Sequence, residues 1–273
     1  MKTIIVVNGE RDWQPFFPGL EVRACRLQAS RWLFEDGQLW LFDAAGSVRV
    51  EAVLWRVGAI RPHPGHRTVL ELLRLAGVPC VNPPEVLLRG YDRLGMLNEL
   101  RAAGLPTLPL SVALGDGALE RLRPELPAVV KVGNYHGGYG KIRPTDDQMW
   151  GEVTDLLFVS EDYVTVEPYV EYARDIRCLA VGDELWAMAR RGATWKANVR
   201  TVAYELIEPP PELAAHTRRA MEHFGADVLG IDFLETAAGA YVALESNDIP
   251  GVSGFPDAVR TAIAARLRAR MRA

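Results

Sequence analysis

A mixed fold, α/β at the start and α+β beyond it, is what the sequence predicts, and three observations carry it. Over the first third, short β-branched runs alternate with helical spacing, the pattern of a small α/β unit with a parallel sheet. After Pro83-Pro84 the strand candidates come in adjacent pairs joined by glycine-containing turns, which is hairpin chemistry. Helical stretches that stop at glycine stand between those pairs.

In chain order, Thr3–Val7 is a β-branched strand ending at Asn8-Gly9. Residues 39–42, 48–50 and Ala52–Trp55 are further strands, with turn residues at 44–46. Residues 68–76 place Val69, Leu72, Leu73 and Leu75 at helical spacing and stop at Gly77. Residues 78–81 form a short strand broken by Asn82-Pro83-Pro84, a natural boundary. Residues 85–103 read as one helix stopped by Gly104, 105–112 as an extended segment, and 115–126 as turn and short helix. Ala128–Val132 and residues 141–143 flank a glycine loop as strands, and 147–158 is an amphipathic helix. Residues 163–170 are a strand, and 175–181 pairs with 184–190 across Gly182-Asp183. Pro211–Phe224 is a helix ending at Gly225, and 228–234 pairs with 241–245 across Ala238-Gly239. Residues 257–273 close the chain as a helix with its arginines on the solvated face.

Composition excludes several function classes. The 31 basic and 35 acidic residues leave a net charge of −4, no support for general nucleic-acid binding. Cys25, Cys80 and Cys178 show no CxxC spacing, so neither a disulfide framework nor a zinc site is expected. The apolar run in MKTIIVVNGE is too short for a signal peptide, and no run reaches the roughly 18 residues of a membrane span. A reducing cytoplasm is the expected compartment. A homo-oligomer is compatible with this composition.

The stretch VVKVGNYHGGYGKIR, residues 129–143, carries the first chemical signal. It is neither a Walker A loop nor a dinucleotide fingerprint. Its four glycines exceed what a tight hairpin needs, and glycine lets backbone N–H groups approach an anion. A phosphate flap and an ordinary flexible hairpin both fit the loop taken alone. The second signal is Asp232 in VLGIDFLET, with Glu245 and Asn247 at i, i+2 on one face of YVALESNDIPG. Hard oxygen ligands of this kind suit magnesium, and inward carboxylates on apolar strands need a partner. A pairing with arginine is the other reading. Between the two signals, Arg177, Arg190, Arg191 and Lys196 alternate with strand apolars, a pattern that can line a phosphate cleft. Taken singly, Arg190 and Arg191 read as surface or ion-paired residues.

In this order and spacing, the blocks VVKVGNYHGGYGKIR, TVEPYVEYARDIRCLAVGDELWAMARRGATWKANV and GIDFL…ALESNDIPG resemble the ATP-grasp superfamily from about Asn82 to Gly254. The first two are most similar to the ATP-binding region of synapsin. The third resembles the RimK-type glutamate ligases, as does LWRVGAI…LLRLAGVPCVNPPEVLLRGYDRLGMLNELRAAGLPTLP. The resemblance implies a Rossmann-like α/β domain over 1–84, then ATP-grasp subdomains over 85–170 and 171–273. It implies that Lys131 contacts the α/β-phosphates of ATP and that Gly137, Gly138 and Gly140 form the flap. Glu167, Pro168, Tyr169 and Val170 would lie along the adenine, and Asp175 would meet the ribose. Arg177 and Lys196 would face the γ-phosphate or acyl phosphate, with Asn198 beside them. Asp232, Glu245 and Asn247 would hold two magnesium ions, with manganese as a substitute. Arg93 stands where such families usually carry lysine, and Ser246 where they carry an apolar residue. Arg56 is implied as a substrate-carboxylate or structural residue, and Ser253 and Gly254 as acceptor-site residues.

The activity implied is carboxylate–amine ligation through an acyl phosphate, with an amino acid, peptide or protein as acceptor. A non-catalytic ATP-binding regulator of the synapsin type is the alternative. His63 and His66 read as a proline-loop pair that no helix presents together, and His136 as a solvent-exposed flap tip.

Overall fold

The structure, a computed structural model, describes residues 2–9, 12–58, 63–115, 117–192, 194–196 and 201–272. Near the N-terminus, β1 (Thr3–Val7), β2 (Glu21–Cys25), β6 (Ala52–Trp55) and β7 (Cys80–Val81) form a parallel sheet in the order β2-β1-β6-β7. Strand β1 is buried on both faces, as its unbroken apolar run requires. Beside this sheet, β3 (Arg31–Glu35), β4 (Gln38–Asp43) and β5 (Gly46–Arg49) form an antiparallel three-stranded sheet. Its Leu39 and Leu41 share a core with Ile5, Val7 and helix α1 (Pro64–Leu75).

The helix α1 starts four residues before its expected beginning. Pro64 opens it, and His63 caps it by accepting from the Gly65 N–H at 3.0 Å. The single helix expected over 85–103 is two helices, α2 (Pro84–Arg89) and α3 (Arg93–Ala102). Gly90 ends the first, and Asp92 caps the second by accepting from the Gly95 N–H at 2.7 Å. Strand β2, not foreseen, is an edge strand with one of its five residues buried, and its sequence lacks an apolar run.

An antiparallel sheet follows, ordered β10-β9-β11-β8, from β8 (Ser111–Ala113), β9 (Ala128–Val132), β10 (Lys141–Ile142) and β11 (Val164–Pro168). Helix α4 (Asp147–Leu157) covers it through Trp150 and Val153. The largest sheet is antiparallel and five-stranded, in the order β14-β13-β12-β15-β16. Its strands are β12 (Tyr172–Val181), β13 (Glu184–Gly192), β14 (Thr201–Ile207), β15 (Val228–Thr236) and β16 (Tyr241–Asn247).

Helix α5 (Pro211–Phe224) packs on one face of this sheet together with α3, through Leu213, Phe224, Leu97 and Leu100. Helix α6 (Asp257–Arg270) lies between two sheets. Its Val259, Ile263 and Leu267 share one core with Ile4, Val6 and Leu54 of the N-terminal sheet and with Leu179 and Val228 of the large one. Among the described residues no helix is long and apolar enough to cross a membrane.

Helix α5 ends in a left-handed cap at Gly225, with φ 64° and ψ 30°. A Cβ there meets nothing within 4 Å, so substitution probes the backbone alone. Gly225→Ala is expected to cost about 1 kcal/mol, read as a lower urea midpoint at unchanged m-value.

Candidate active site

The register of the large sheet builds the site. Asp175 of β12 stands opposite Arg190 of β13, and Arg177 opposite Asp232 of β15. A bulge between Asp232 and Phe233 then brings Glu245 of β16 opposite Asp232. The result is a cluster of charged side chains on one face of four strands, with the Asp175–Arg190 pair two residues along from the row Arg177–Asp232–Glu245.

Within it the Arg177 guanidinium grips Asp232 with both arms, Nε to Oδ1 at 2.7 Å and Nη2 to Oδ2 at 2.8 Å. Arg190 donates to Asp175 and reaches Asp232 Oδ2 at 3.1 Å. Burial pushes the Asp175 carboxyl up to about 6 against the pull of Arg190. For Asp232 burial acts the same way, but Arg177 and Arg190 outweigh it and hold the carboxyl below its usual range. Burial also opposes ionisation of Glu245, and Lys141 and Arg93 overcome it, holding this carboxyl far below normal. Lys141 Nζ lies 3.4 Å from Glu245 Oε2, and Arg93 Nη1 lies 4.0 Å from it.

The glycine loop hangs over this row. Gly137, Gly138 and Gly140 all have positive φ, 68°, 80° and 62°, a path that L side chains resist. Two cations brace the flap through its carbonyls. Arg93, fully buried, donates from Nε to Gly133 O at 3.4 Å and from Nη2 to Tyr135 O. On the other side Lys196 Nζ donates to Lys141 O at 2.7 Å and Gly138 O at 3.3 Å.

Two cavities meet at Glu245. One, of about 80 Å³, is lined by Lys131, Glu167, Tyr169, Trp195, Leu234 and Glu245. Pro168, Val170, Asp175, Lys196 and Asp232 border it as well. Lys131 and Glu167 are a buried pair at 2.6 Å, and burial pulls the Lys131 pKa down although Glu167 opposes it. The Arg143 guanidinium covers the Tyr169 ring at 4.6 Å. The other cavity is a cleft of about 330 Å³ between the N-terminal sheet and β16, lined by Trp55, Leu70, Met96, Arg177, Asn247 and Asp248.

Asp232, Glu245 and Asn247 offer hard oxygens on adjacent strands, and the buried Asn247 Nδ2 has no hydrogen-bond partner, so this amide is not committed elsewhere through its nitrogen. The donor set fits magnesium in kind. In the structure the arginines and Lys141 supply the positive charge that these carboxylates demand.

Of the remaining expected positions, Arg56 is buried, donates to Pro250 O at 2.7 Å, lies over the Trp13 ring, and does not line the cleft. Ser253 is exposed and Gly254 packs at Met188 and Tyr204; neither lines the two cavities. Asn198 lies outside the described residues. His136 is half-buried and lines the cleft instead of standing in solvent. His63 and His66 do come together, with ring centroids 5.9 Å apart, because α1 begins at Pro64.

Residues 119–247 match the family model described as "Synapsin, ATP binding domain". The fold is shared with a RiPP-associated ATP-grasp ligase from Chryseobacterium gregarium, solved with ADP and a leader and core peptide, at a TM-score of 0.73 and 14% identity over 98% of this chain and 97% of that one. It is shared equally with D-alanyl-alanine synthetase A from Vibrio cholerae, at a TM-score of 0.73 and 16% identity over 100% and 99%. A probable alpha-L-glutamate ligase from Pseudomonas putida is 30% identical over 214 residues, 75% of this chain and 70% of the relative. The chain belongs to the ATP-grasp superfamily.

As an ATP-grasp ligase it binds ATP, and it contains one cationic residue that the sequence does not single out. That residue is Lys141, a strand residue opposite Lys131 in the flap hairpin. Arg190, expected singly as surface or ion-paired, is ion-paired and buried beside the row. Both positions are reachable by counting back from a hairpin turn.

The charged row and cleft of this ATP-grasp ligase make its stability depend on pH in two opposed ways. Asp175, up to about 6, and Asp248, which burial pushes up to about 7, are raised above their unfolded values. Their contribution is complete below about pH 4 and is lost as pH rises toward 6–7. Asp232 and Glu245 are depressed, so their contribution is complete above roughly pH 4–4.5 and is lost as pH falls. The ligand-free thermal midpoint is expected to peak at about pH 4 and to decline on both sides. A midpoint that climbs steadily from pH 5 to 8 would contradict this balance.

Proposed function

We propose that this ATP-grasp ligase joins a carboxylate to an amine through an acyl phosphate, releasing ADP and phosphate. The observation that carries the reading is the row Arg177–Asp232–Glu245 at the junction of two cavities under a glycine flap. In this reading the smaller cavity takes the nucleotide, with adenine along Glu167–Val170, ribose at Asp175 and phosphates at Lys131 and beneath Gly137, Gly138 and Gly140. The cleft takes the carboxylate and the amine. The three-part division at residues 84 and 170 goes with it.

Asp232, Glu245 and the Asn247 carbonyl oxygen would hold magnesium, as two ions or with manganese in their place, and its chemistry there is to neutralise charge on the phosphates. Arg177 can exchange Asp232 for a phosphoryl group, because a guanidinium fork suits either anion. Lys196 holds the flap down through Gly138 and Lys141, and so excludes the water that would hydrolyse an acyl phosphate. Arg93 does the same from the opposite side, a role in which its fork spans two carbonyls as lysine does not.

The chemistry balances simply. A carboxylate oxygen bonds to the γ-phosphorus as ADP leaves. The amine nitrogen then bonds to the acyl carbon, phosphate leaves, and the amine proton is released.

The acceptor is an amino acid, peptide or protein; the ligase names of the relatives and the peptide-bound Chryseobacterium enzyme support that range. The test is ADP and phosphate release from Mg-ATP across pools of amino acids and peptides, with mass spectrometry of the product. Release stimulated by a pool, with an amide product, is expected. Tight ATP binding with no release from any pool would point to a non-catalytic binder.

A further inference from the structure

The cleft contains one carboxylate that the ion-pair network does not reach. Of the acidic side chains lining the two cavities, Glu167, Asp175, Asp232 and Glu245 each pair with a lysine or arginine. Asp248 pairs with no basic side chain among the described residues; it accepts from backbone N–H groups of its own loop.

Its position is built on purpose. Its carbonyl accepts from the Asn82 Nδ2 at 2.6 Å, which fixes the loop. Opposite it stands Gly90, where a Cβ would overlap the carboxylate oxygen Oδ2, so glycine is what admits the acid. The cleft that Asp248 lines has an apolar wall of Trp55, Leu70, Leu87, Met96 and Ile249.

Among the described residues the cleft offers Asp248 no uncommitted cation. Arg177 and Arg190 are committed to Asp232 and Asp175. Burial lowers the pKa of His66, as it does that of His136, which favours the neutral form of both rings. A carboxylate set against hydrocarbon is costly unless a cation meets it.

Resting on the ligase reading, we infer that Asp248 recognises the ammonium group of the amine substrate, and that this substrate carries an apolar side chain. Glutamate, the amino acid in the relatives' name, would add negative charge beside Asp248, where the wall offers hydrocarbon. The step is binding only; no bond is made or broken.

The test is calorimetric titration of the full chain with Mg-ADP present. The probes are L-leucinamide, N-acetyl-L-leucinamide, which lacks the ammonium, and L-glutamate. Leucinamide is expected to bind saturably, the acetylated form not at all, and glutamate more weakly than leucinamide. Asp248→Asn is expected to weaken leucinamide by about tenfold or more. Gly90→Ala is an independent second variant: its φ of −77° suits alanine, so it acts by displacing the carboxylate, with the same expected loss.

Leucinamide affinity unchanged in both variants, tighter binding of glutamate, or no leucinamide binding would overturn the inference. ADP release measured with the same compounds separates the two readings. Asp248-dependent binding without release from any amine keeps this subsite and sinks the ligase reading. Release with acidic amines that ignores Asp248→Asn does the reverse.

Discussion

Asp232→Asn is expected to reduce ATP-dependent amide formation by about a hundredfold or more and to destabilise the fold by about 3 kcal/mol. Both effects come from one carboxylate. Asp232 is 2% exposed, and it neutralises Arg177 fully and Arg190 in part. Removing its charge leaves Arg177 without a carboxylate partner in the row and places Arg190 on Asp175 alone. The loss falls at the low end for a broken buried pair because Arg190 keeps Asp175. The same change removes a proposed magnesium ligand. The two effects separate in the double variant Asp232→Asn with Arg177→Met. Removing the stranded guanidinium should restore much of the stability in a urea melt. Amide formation should stay reduced by about a hundredfold or more. Full turnover in Asp232→Asn would mean that the row is structural and the chemistry lies elsewhere.

The second large effect is expected at the Lys131–Glu167 pair. Both side chains are about 95% buried and lie 2.6 Å apart, so neither has water to fall back on. Lys131→Met should cost about 3–5 kcal/mol by leaving Glu167 unpaired. It should also abolish measurable ATP binding in equilibrium dialysis, since the ammonium is the proposed α/β-phosphate contact. Adding Glu167→Leu removes the stranded charge. Replacing a buried ion pair with hydrocarbon is often nearly neutral, so stability should return. ATP binding should not. If the double variant bound ATP normally, Lys131 would be a core ion pair and nothing more.

Much of this site could be read along the chain because hairpins make register countable. The two-residue turn at Gly182-Asp183 fixes Val181 opposite Glu184, and from there Asp175 opposite Arg190 follows by alternation. The glycine flap is legible for a similar reason, since its two strands are short and adjacent. The meeting of Asp232 and Glu245 is not legible in this way. Regular pairing from Phe233 and Ala243 would set Leu244 opposite Asp232 and turn Glu245 to the other face. One bulge residue corrects that, and nothing in LETAAGAYVALE announces it.

Other misses have equally local causes. The helix break at Gly90–Asp92 hides in a run of helix-compatible residues, and only the Asp92 cap and the flap contact through Asn134 give it purpose. The approach of His63 to His66 depends on Pro64 being read as a helix opener instead of a loop residue. Long-range contacts such as Arg56 to Pro250 carry no local signal at all.

The position of α6 has a consequence for how the protein comes off the ribosome. The inner face of β1 is closed by Val259, Ile263 and Leu267, residues made more than two hundred positions later. The sheet that contains β1 therefore emerges with one oily face bare and must wait for α6 before it can be sealed. Until then a nascent chain is open to chaperones and to its own neighbours, and a ribosome stalled before Asp257 leaves an aggregation-prone fragment in place of a dormant enzyme. In this molecule the core behind β1 closes only once α6 has been made.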